Sequence, residues 1–497
     1  MKNSSSWTRR GFPTPDRDPF YASPAGLGGV APGTVLRSRV VPVSFFGRLR
    51  QGMAVQLMYR STDAHDLPEA AVTTVIVPRG ENPARCPVLS YQCAIDAVAA
   101  RCFPSYALRH GAELVGASVQ AEFFFITAAL SRGWAVSIPD HEGLNGMWGA
   151  PYEEGFRVLD GLRAAVNYPK LGLSSKASMA VWGYSGGGLA SGWAAEVAAT
   201  YAPELDIVGA VLGSPVVDPE SVARRLNASP WAGLAALMIA SLVHVFPEAK
   251  KVVDEHATED GKALLAEIEG MSTGGAIRRF RNVDIADYVD LSFQELFALP
   301  ELQHVFEVTR LGQKTPSMPL LLIQGVHDKI VDVADVDRLV LAYTQGGAAV
   351  SYHRDPLAEH LLLYPFAVPM SLWWLAERLA KNDRPNSWHT WPALLDARTY
   401  AVCRHSPPPH RKPSSPVSPQ GDRFATDVGR SRSRPYHPYR GCNAPCDLAY
   451  RRDVLRRRTY CARIESACVT SLSHQVPATN RHFWRRQRGV KANPPMR

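Results

Sequence analysis

Nowhere does the chain supply the eighteen or so uncharged apolar residues in a row that carry a helix across a bilayer. The nearest run, Trp231 to Phe246, is shorter and is interrupted by Ser241 and His244. It reads as a buried or lipid-facing helix, and no transmembrane segment is expected. Cysteine is also scarce. Of eight cysteines, only Cys86, Cys93 and Cys102 fall within residues 1–385, too few for a disulfide framework. Cys442 and Cys446 have the spacing of half a zinc site, but no well-spaced second pair follows, so no metal is expected. The Arg9-Arg10 pair is followed by Pro13, Pro15, Asp16 and Asp18 rather than by an apolar stretch. No export signal is therefore legible in this chain.

Charge is unevenly spread. The formal net charge of +9 averages two different halves: from Asn386 onward there are 21 Lys and Arg against 6 Asp and Glu, which leaves 34 against 40 in residues 1–385. The tail, 386–497, mixes proline, arginine and cysteine without sustained periodicity, the composition of a disordered arm. The loss of pattern near Pro385 also fits a shifted reading frame. A basic arm could bind nucleic acid or anionic lipid. It has no nucleic-acid-binding fold signature and no regular aromatic interleaving for base stacking, so nucleic acid is not expected as a partner. A non-catalytic binder working through this tail is the reading furthest from the chemistry described next.

What the first 385 residues do contain is alternation. Extended runs come first, at 34–43, 54–62 and 71–78, and then strand and helix patterns take turns. Residues 87–92, 134–140, 177–185, 207–215, 319–325 and 348–355 read as strands. Helices are expected over 118–133 and over 152–168, where Phe156, Leu159, Leu162 and Val166 recur at helical spacing. Such alternation implies an α/β fold with a mainly parallel sheet flanked by helices. Residues 217–312 break the rhythm, with helical patterns and no strand. An all-helical insertion between core strands reads as a cap over a site, or as a structural domain with no gating role. The expected divisions are an N-terminal extension (1–16), a core in two parts (17–216 and 313–385), the insertion (217–312) and the tail (386–497).

The chemistry begins at Gly183-Tyr184-Ser185-Gly186-Gly187, a G-x-S-x-G run between a strand and a helix. Small residues on both sides admit a strained turn that lifts the serine hydroxyl over the sheet edge, with the next N–H aimed at a forming oxyanion. A serine nucleophile needs a histidine base and an orienting carboxylate, in the chain order Ser, Asp, His. Asp328 directly follows an apolar strand; Asp332 would begin the next helix, where capping is its ordinary role. His360 lies between the last strand and the final helix, whereas His353 falls inside the strand and His327 adjoins the acid.

Several ordered runs carry a resemblance: "DPFY" (18–21), "SYQ" with Asp96 and "CFPSY" (90–106), "DHEG" (140–143), "YEEGFRVLDGLRA", "GYSGGG", "YAPELDIVGA" (201–210), "HDKIV" (327–331) and "PLAEHL" (356–361). Together they resemble the secretory lipases of the lipase A type, α/β-hydrolases of yeasts and actinobacteria, over roughly residues 17–383. The resemblance implies Ser185 as nucleophile, Asp328 as acid and His360 as base, with the oxyanion hole at Asp96 and Gly186. Asp96 is unexpected on physical grounds, because a carboxylate repels an oxyanion unless it is protonated or contributes its backbone N–H; the backbone N–H groups of Asp96 and Gly186 are the expected donors. The resemblance also implies that the helical insertion is a cap with apolar walls for an acyl chain, and that the protein is secreted or held at the cell surface. Cys102 matches a cysteine that can pair with one in the cap, but residues 217–312 contain none. The C-terminal flap of the family has no recognisable counterpart in 386–497. The expected activity is a serine carboxylic-ester hydrolase, foremost a triacylglycerol lipase, needing no cofactor and acting on lipid or other apolar esters. A serine peptidase or thioesterase on the same fold is the alternative.

Overall fold

The computed structural model describes residues 13–393, apart from 46–47, 114–116, 383–386 and 391. Among the described residues ten strands form one sheet. Three long ones, β1 (Val35–Phe45), β2 (Arg48–Thr62) and β3 (Pro68–Ile76), pair antiparallel at one side. β4 (Val88–Gln92), β5 (Ala135–Pro139), β6 (Met179–Tyr184), β7 (Ile207–Gly213), β8 (Leu320–Gly325), β9 (Val350–Asp355) and β10 (Trp388–His389) complete the order β1-β2-β3-β5-β4-β6-β7-β8-β9-β10. From β5 to β10 every pairing is parallel. Every residue of β4, β5, β6 and β8 is buried, as strands covered on both faces must be. Successive side chains of β6 feed opposite cores: Met179 and Val181 enter one, Ala180, Trp182 and Tyr184 the other.

The helices follow the crossovers. α1 (Pro104–Ala107) and α2 (Ala117–Leu130) lead to β5, α3 (Glu153–Asn167) precedes β6, and α4 (Gly186–Tyr201) links β6 to β7. Seven helices fill the interval between β7 and β8: α5 (Pro219–Leu226), α6 (Ala232–Val245), α7 (Pro247–His256), α8 (Glu259–Glu269), α9 (Thr273–Arg279), α10 (Phe293–Phe297) and α11 (Pro300–Thr309). α12 (Val333–Gln345) and α13 (His360–Leu379) finish the core. The strand-free reading of 217–312 matches this block, whose helices are started by local caps. Asp218, Thr258 and Ser272 each accept a backbone N–H three residues on, and Ser292 with Glu295 forms a capping box. α6 is the apolar run noted above; ten of its residues are buried, and the chain bends by 118° into α7. No single described helix is long and apolar enough to cross a membrane.

The helix expected over 152–168 is present, with more buried charge than its apolar spacing indicates, and two expected boundaries need correction. The buried face of α3 includes Glu153, Glu154, Arg157 and Asp160, while Phe156 is only half-buried. Packed between the sheet and α4, the helix has no free face, and its charges are paired instead: Arg157 with Glu69 at 2.6 Å, Asp160 with Arg163 at 2.8 Å and with the Ser61 hydroxyl at 2.9 Å. The body starts before residue 17, because Pro15 is buried and the Pro13 carbonyl accepts from the buried Arg109 at 3.0 Å. It also extends past Pro385. Trp388 and His389 pair with Tyr352 and His353, and the Ala393 N–H donates to Asp355 at 2.6 Å. Ala393 is fully buried. A parallel sheet edge satisfied by two residues leaves almost no periodic pattern to read. The remainder of the tail, with Cys442 and Cys446, lies outside the described residues, as does Arg9-Arg10.

Truncation after Pro385 removes β10 and leaves Asp355 without one of its partners. The expected result is a melting temperature lower by a few degrees, equivalent to about 1–3 kcal/mol. An unchanged transition in calorimetry would show that this strand adds nothing to the fold.

Candidate active site

β6 ends in Tyr184, and the chain reverses into α4 through Ser185 at φ 57°, ψ −122°. Positive φ is rare for a residue with a side chain. Here the turn is anchored by the Ser185 N–H on the Gly213 carbonyl (2.8 Å) and by Leu189 N–H on the Ser185 carbonyl (3.0 Å). A Cβ at Gly183 would collide with the Gly187 carbonyl, which is why strand and helix can approach so closely there. Ser185 is half-buried, so its hydroxyl remains within reach of a ligand.

His360 opens α13, and its position is set locally. Asp355 accepts the N–H groups of Leu357 (2.9 Å) and Ala358 (2.8 Å), which shapes the loop. Glu359 caps the helix through Leu362 N–H at 2.8 Å. His360 Nε2 lies 2.9 Å from Ser185 Oγ, and its Nδ1 lies 2.7 Å from Asp328 Oδ2. Asp328 is fixed in turn by the N–H groups of Ile330 (2.8 Å) and Val331 (2.9 Å) and by Gln324 Nε2 (3.1 Å). The structure thus joins Ser185, His360 and Asp328 in one series. The competitors stand elsewhere. Asp332 caps α12 and pairs with Arg225 at 2.7 Å, His327 is exposed, and His353 is enclosed in β9.

Electrostatics follows from this burial. Desolvation alone would lower the imidazolium pKa of His360, but the Asp328 charge and hydrogen bond outweigh it and leave the pKa above the ordinary value. Burial would likewise raise the Asp328 pKa; His360 and the two backbone N–H groups outweigh it and lower the pKa. Each partner stabilises the charged form of the other.

Asp96 and Gly186 come together beside this series. A Cβ at Gly186 would collide with Asp96 Oδ1, so only glycine leaves room for that carboxyl. Asp96 is itself at φ 45°. Its backbone N–H donates to buried Glu142 Oε1 at 2.8 Å, which engages the group expected to face an oxyanion. Among the described residues Asp96 Oδ1 and the indole N–H of Trp148 find no hydrogen-bond partner, and Trp148 also packs against Gly186. Burial lifts the Asp96 carboxyl to about 6, with His141 and His360 pulling it the other way. A neutral carboxyl here would be a donor rather than a repelling charge.

Several of these neighbours escaped the sequence reading. Tyr184, the middle letter of the motif, donates to the His360 carbonyl at 2.7 Å and accepts from Ser214 at 3.0 Å. The "DHEG" and "YEEG" runs prove to be loop anchors: His141 Nε2 lies 2.8 Å from the Cys93 carbonyl, Glu142 holds Asp96, and Glu154 accepts Gly149 N–H at 2.7 Å. Clustered acids between apolar residues were the available signal. Cys102 is a free, buried thiol whose pKa burial pushes up to about 12. It cannot be the cap tether that the family resemblance brought into question.

A mixed sheet with a serine at this strand-to-helix turn, and a helical insertion after the following strand, is an α/β-hydrolase architecture. The secretory lipase family profile matches residues 108–386. Lipase A of Arthroderma benhamiae is 34% identical over 375 residues, covering 73% of this chain and 80% of that protein. A Mycobacterium tuberculosis protein described as a probable inactive lipase is 51% identical over 393 residues, covering 78% and 88% respectively. The crystal structure of Candida antarctica lipase A superposes with a TM-score of 0.71 at 29% identity, covering 76% of this chain and 88% of that one. Its closed state gives 0.72 at 27% identity, with 80% and 96% covered. The chain belongs to the secretory lipase family.

The His360–Asp328 pair sets a measurable expectation. Followed by NMR, the His360 ring should titrate above 6.5, its ordinary value. In Asp328→Asn the carboxylate is gone while burial remains, so the midpoint should fall from its wild-type position. Asp332→Asn should leave it in place; the opposite ranking would reassign the acid.

Proposed function

We propose that this protein is a serine carboxylic-ester hydrolase acting on lipid-type esters, triacylglycerols foremost, through an acyl-enzyme on Ser185. The observation that carries the reading is the hydrogen-bonded series Ser185–His360–Asp328 on a strained turn. His360 Nε2 takes the Ser185 proton as Oγ attacks the ester carbonyl, and Asp328 stabilises the imidazolium that forms. The tetrahedral oxyanion accepts hydrogen bonds from Gly186 N–H, the first donor of α4 without an intrahelical acceptor, and from the protonated carboxyl of Asp96. His360 then protonates the departing alcohol. Water, deprotonated by His360, attacks the acyl carbonyl, Ser185 Oγ leaves with the returned proton, and the fatty acid is released. A name of inactivity belongs to one relative; in this chain all three groups are in hydrogen-bond contact.

Residues 217–312 serve as the cap in this reading. They enclose an apolar cavity of about 130 Å³ whose walls include Met238, Leu242, Phe280, Val289, Phe297 and Phe306. Such walls suit an acyl chain, but none of them comes from the segments bearing Ser185, Asp96 or His360, so a peptide panel in the same assay decides for or against a peptidase. A thioesterase differs only in the leaving group, and an acyl-thioester substrate in the same assay separates it.

The direct test is turnover of p-nitrophenyl esters from acetate to palmitate. Wild type should hydrolyse them, and Ser185→Ala should lose several orders of magnitude while keeping its melting temperature. Wild-type rates in that variant would sink the mechanism.

Asp96 supplies a second test. Ionisation of its carboxyl, at a pKa of about 6, removes a donor, while His360 becomes a free base only above its own raised pKa, so activity should be confined to a narrow bell and decline on its alkaline side. Asp96→Asn keeps a neutral donor at all pH values and should shift activity toward higher pH; Asp96→Ala should lose about 10²-fold or more in kcat. Equal pH profiles in wild type and Asp96→Asn would rule out the carboxyl as donor.

A further inference from the structure

Asp96 lies in a loop, at a backbone angle that side chains rarely adopt, and a loop alone does not hold a residue there. Its peptide groups are gripped from two sides. Toward the core, Glu142 accepts the Asp96 N–H at 2.8 Å and the Ala97 N–H at 3.4 Å. Toward the helical insertion, the Thr273 hydroxyl donates to the Ile95 carbonyl at 2.7 Å, with the Asp96 carbonyl at 3.1 Å. Thr273 is the first residue of α9, directly after Ser272, which caps that helix through Gly275 N–H. Its hydroxyl is therefore placed by a helix terminus rather than by a wandering loop. Close by, Arg101 donates to the Gly270 carbonyl, a second clasp between the turn before α9 and the segment after Asp96.

The two grips act on one object. Glu142 consumes the N–H of Asp96 and Thr273 draws on the carbonyls on either side of the Asp96 nitrogen and Cα. With the backbone rotation fixed in this way, the Asp96 carboxyl is left against Gly186, where Oδ1 has no partner among the described residues. We infer that Thr273 and Glu142 are positioning residues for Asp96, so that the helical insertion completes the oxyanion site besides covering it. This rests on the reading of Asp96 as an oxyanion donor. It follows that displacement of α9 would loosen the donor itself, linking closure of the insertion to the chemical step.

The experiment compares kcat and KM of Thr273→Val, Thr273→Ser and Glu142→Gln with wild type and Ser185→Ala, on butyrate and palmitate p-nitrophenyl esters. Valine keeps the shape of threonine and removes the hydroxyl. Thr273→Val should lower kcat about tenfold, by the same factor on both esters, with KM within about twofold of wild type. Thr273→Ser should recover most of that loss, and melting temperatures should stay close to wild type. Glu142 is fully buried and its variant is the more exposed to folding failure, so the threonine pair carries the decision. Wild-type kcat in Thr273→Val, beside an inactive Ser185→Ala, would overturn the inference and leave the hydrolase reading intact. So would an effect confined to KM and growing with chain length, since that is the signature of acyl-chain binding. An active Ser185→Ala would overturn the hydrolase reading and this inference with it.

Discussion

Ser185 is held in a backbone conformation that costs about 1–3 kcal/mol, and much of the molecule serves to keep it there. The turn exists because β6 and α4 approach more closely than side chains allow, which confines the positions beside it to glycine. The neighbouring strand contributes its Gly213 carbonyl, and Tyr184 ties the end of β6 to the first residue of α13. Ser185 and His360 are thus fixed relative to each other by packing and hydrogen bonds that neither residue makes alone. Release of the strain would carry the hydroxyl away from His360.

Around this turn the protein buries several carboxyl groups, and the loops explain why. A carboxylate out of water is costly unless hydrogen bonds compensate it. Here part of the compensation comes from backbone N–H groups of irregular segments. Glu142 holds 96–97, Glu154 holds Gly149, Glu122 holds Ala94 at 3.0 Å, and Asp140 holds Ser105 at 2.8 Å. Burial pushes Glu142 well above the usual carboxylate range and Glu122 to about 7. Each acid converts a flexible connection into a defined wall of the site.

The helical insertion and the C-terminal strand meet the core at different points. Arg225 of α5 reaches both Asp332 and the Asp328 carbonyl, while Thr273 of α9 reaches the Asp96 segment. The insertion is therefore in contact with the loops bearing Asp328 and Asp96. β10 braces β9 from the outer side, and Ala393 beyond it engages Asp355, which shapes the loop before His360. No part of the Ser–His–Asp series is independent of elements far away in the chain.

What the sequence by itself determined was everything written in local pattern. The alternation of strand and helix, the strand-free block, and the order of Ser185, Asp328 and His360 are all properties of neighbouring residues and chain order. Asp332 was separable from Asp328 for the same reason, since capping is a local act. The tertiary structure alone decided which buried polar groups meet, because their partners lie far apart: 46 residues separate Asp96 from Glu142 and 177 separate it from Thr273. Hydrophobic periodicity is silent about such pairs, and about the charges of α3, which are buried and paired across the fold. It was equally silent about β10, whose two residues carry no pattern and are ordered only by the edge they complete.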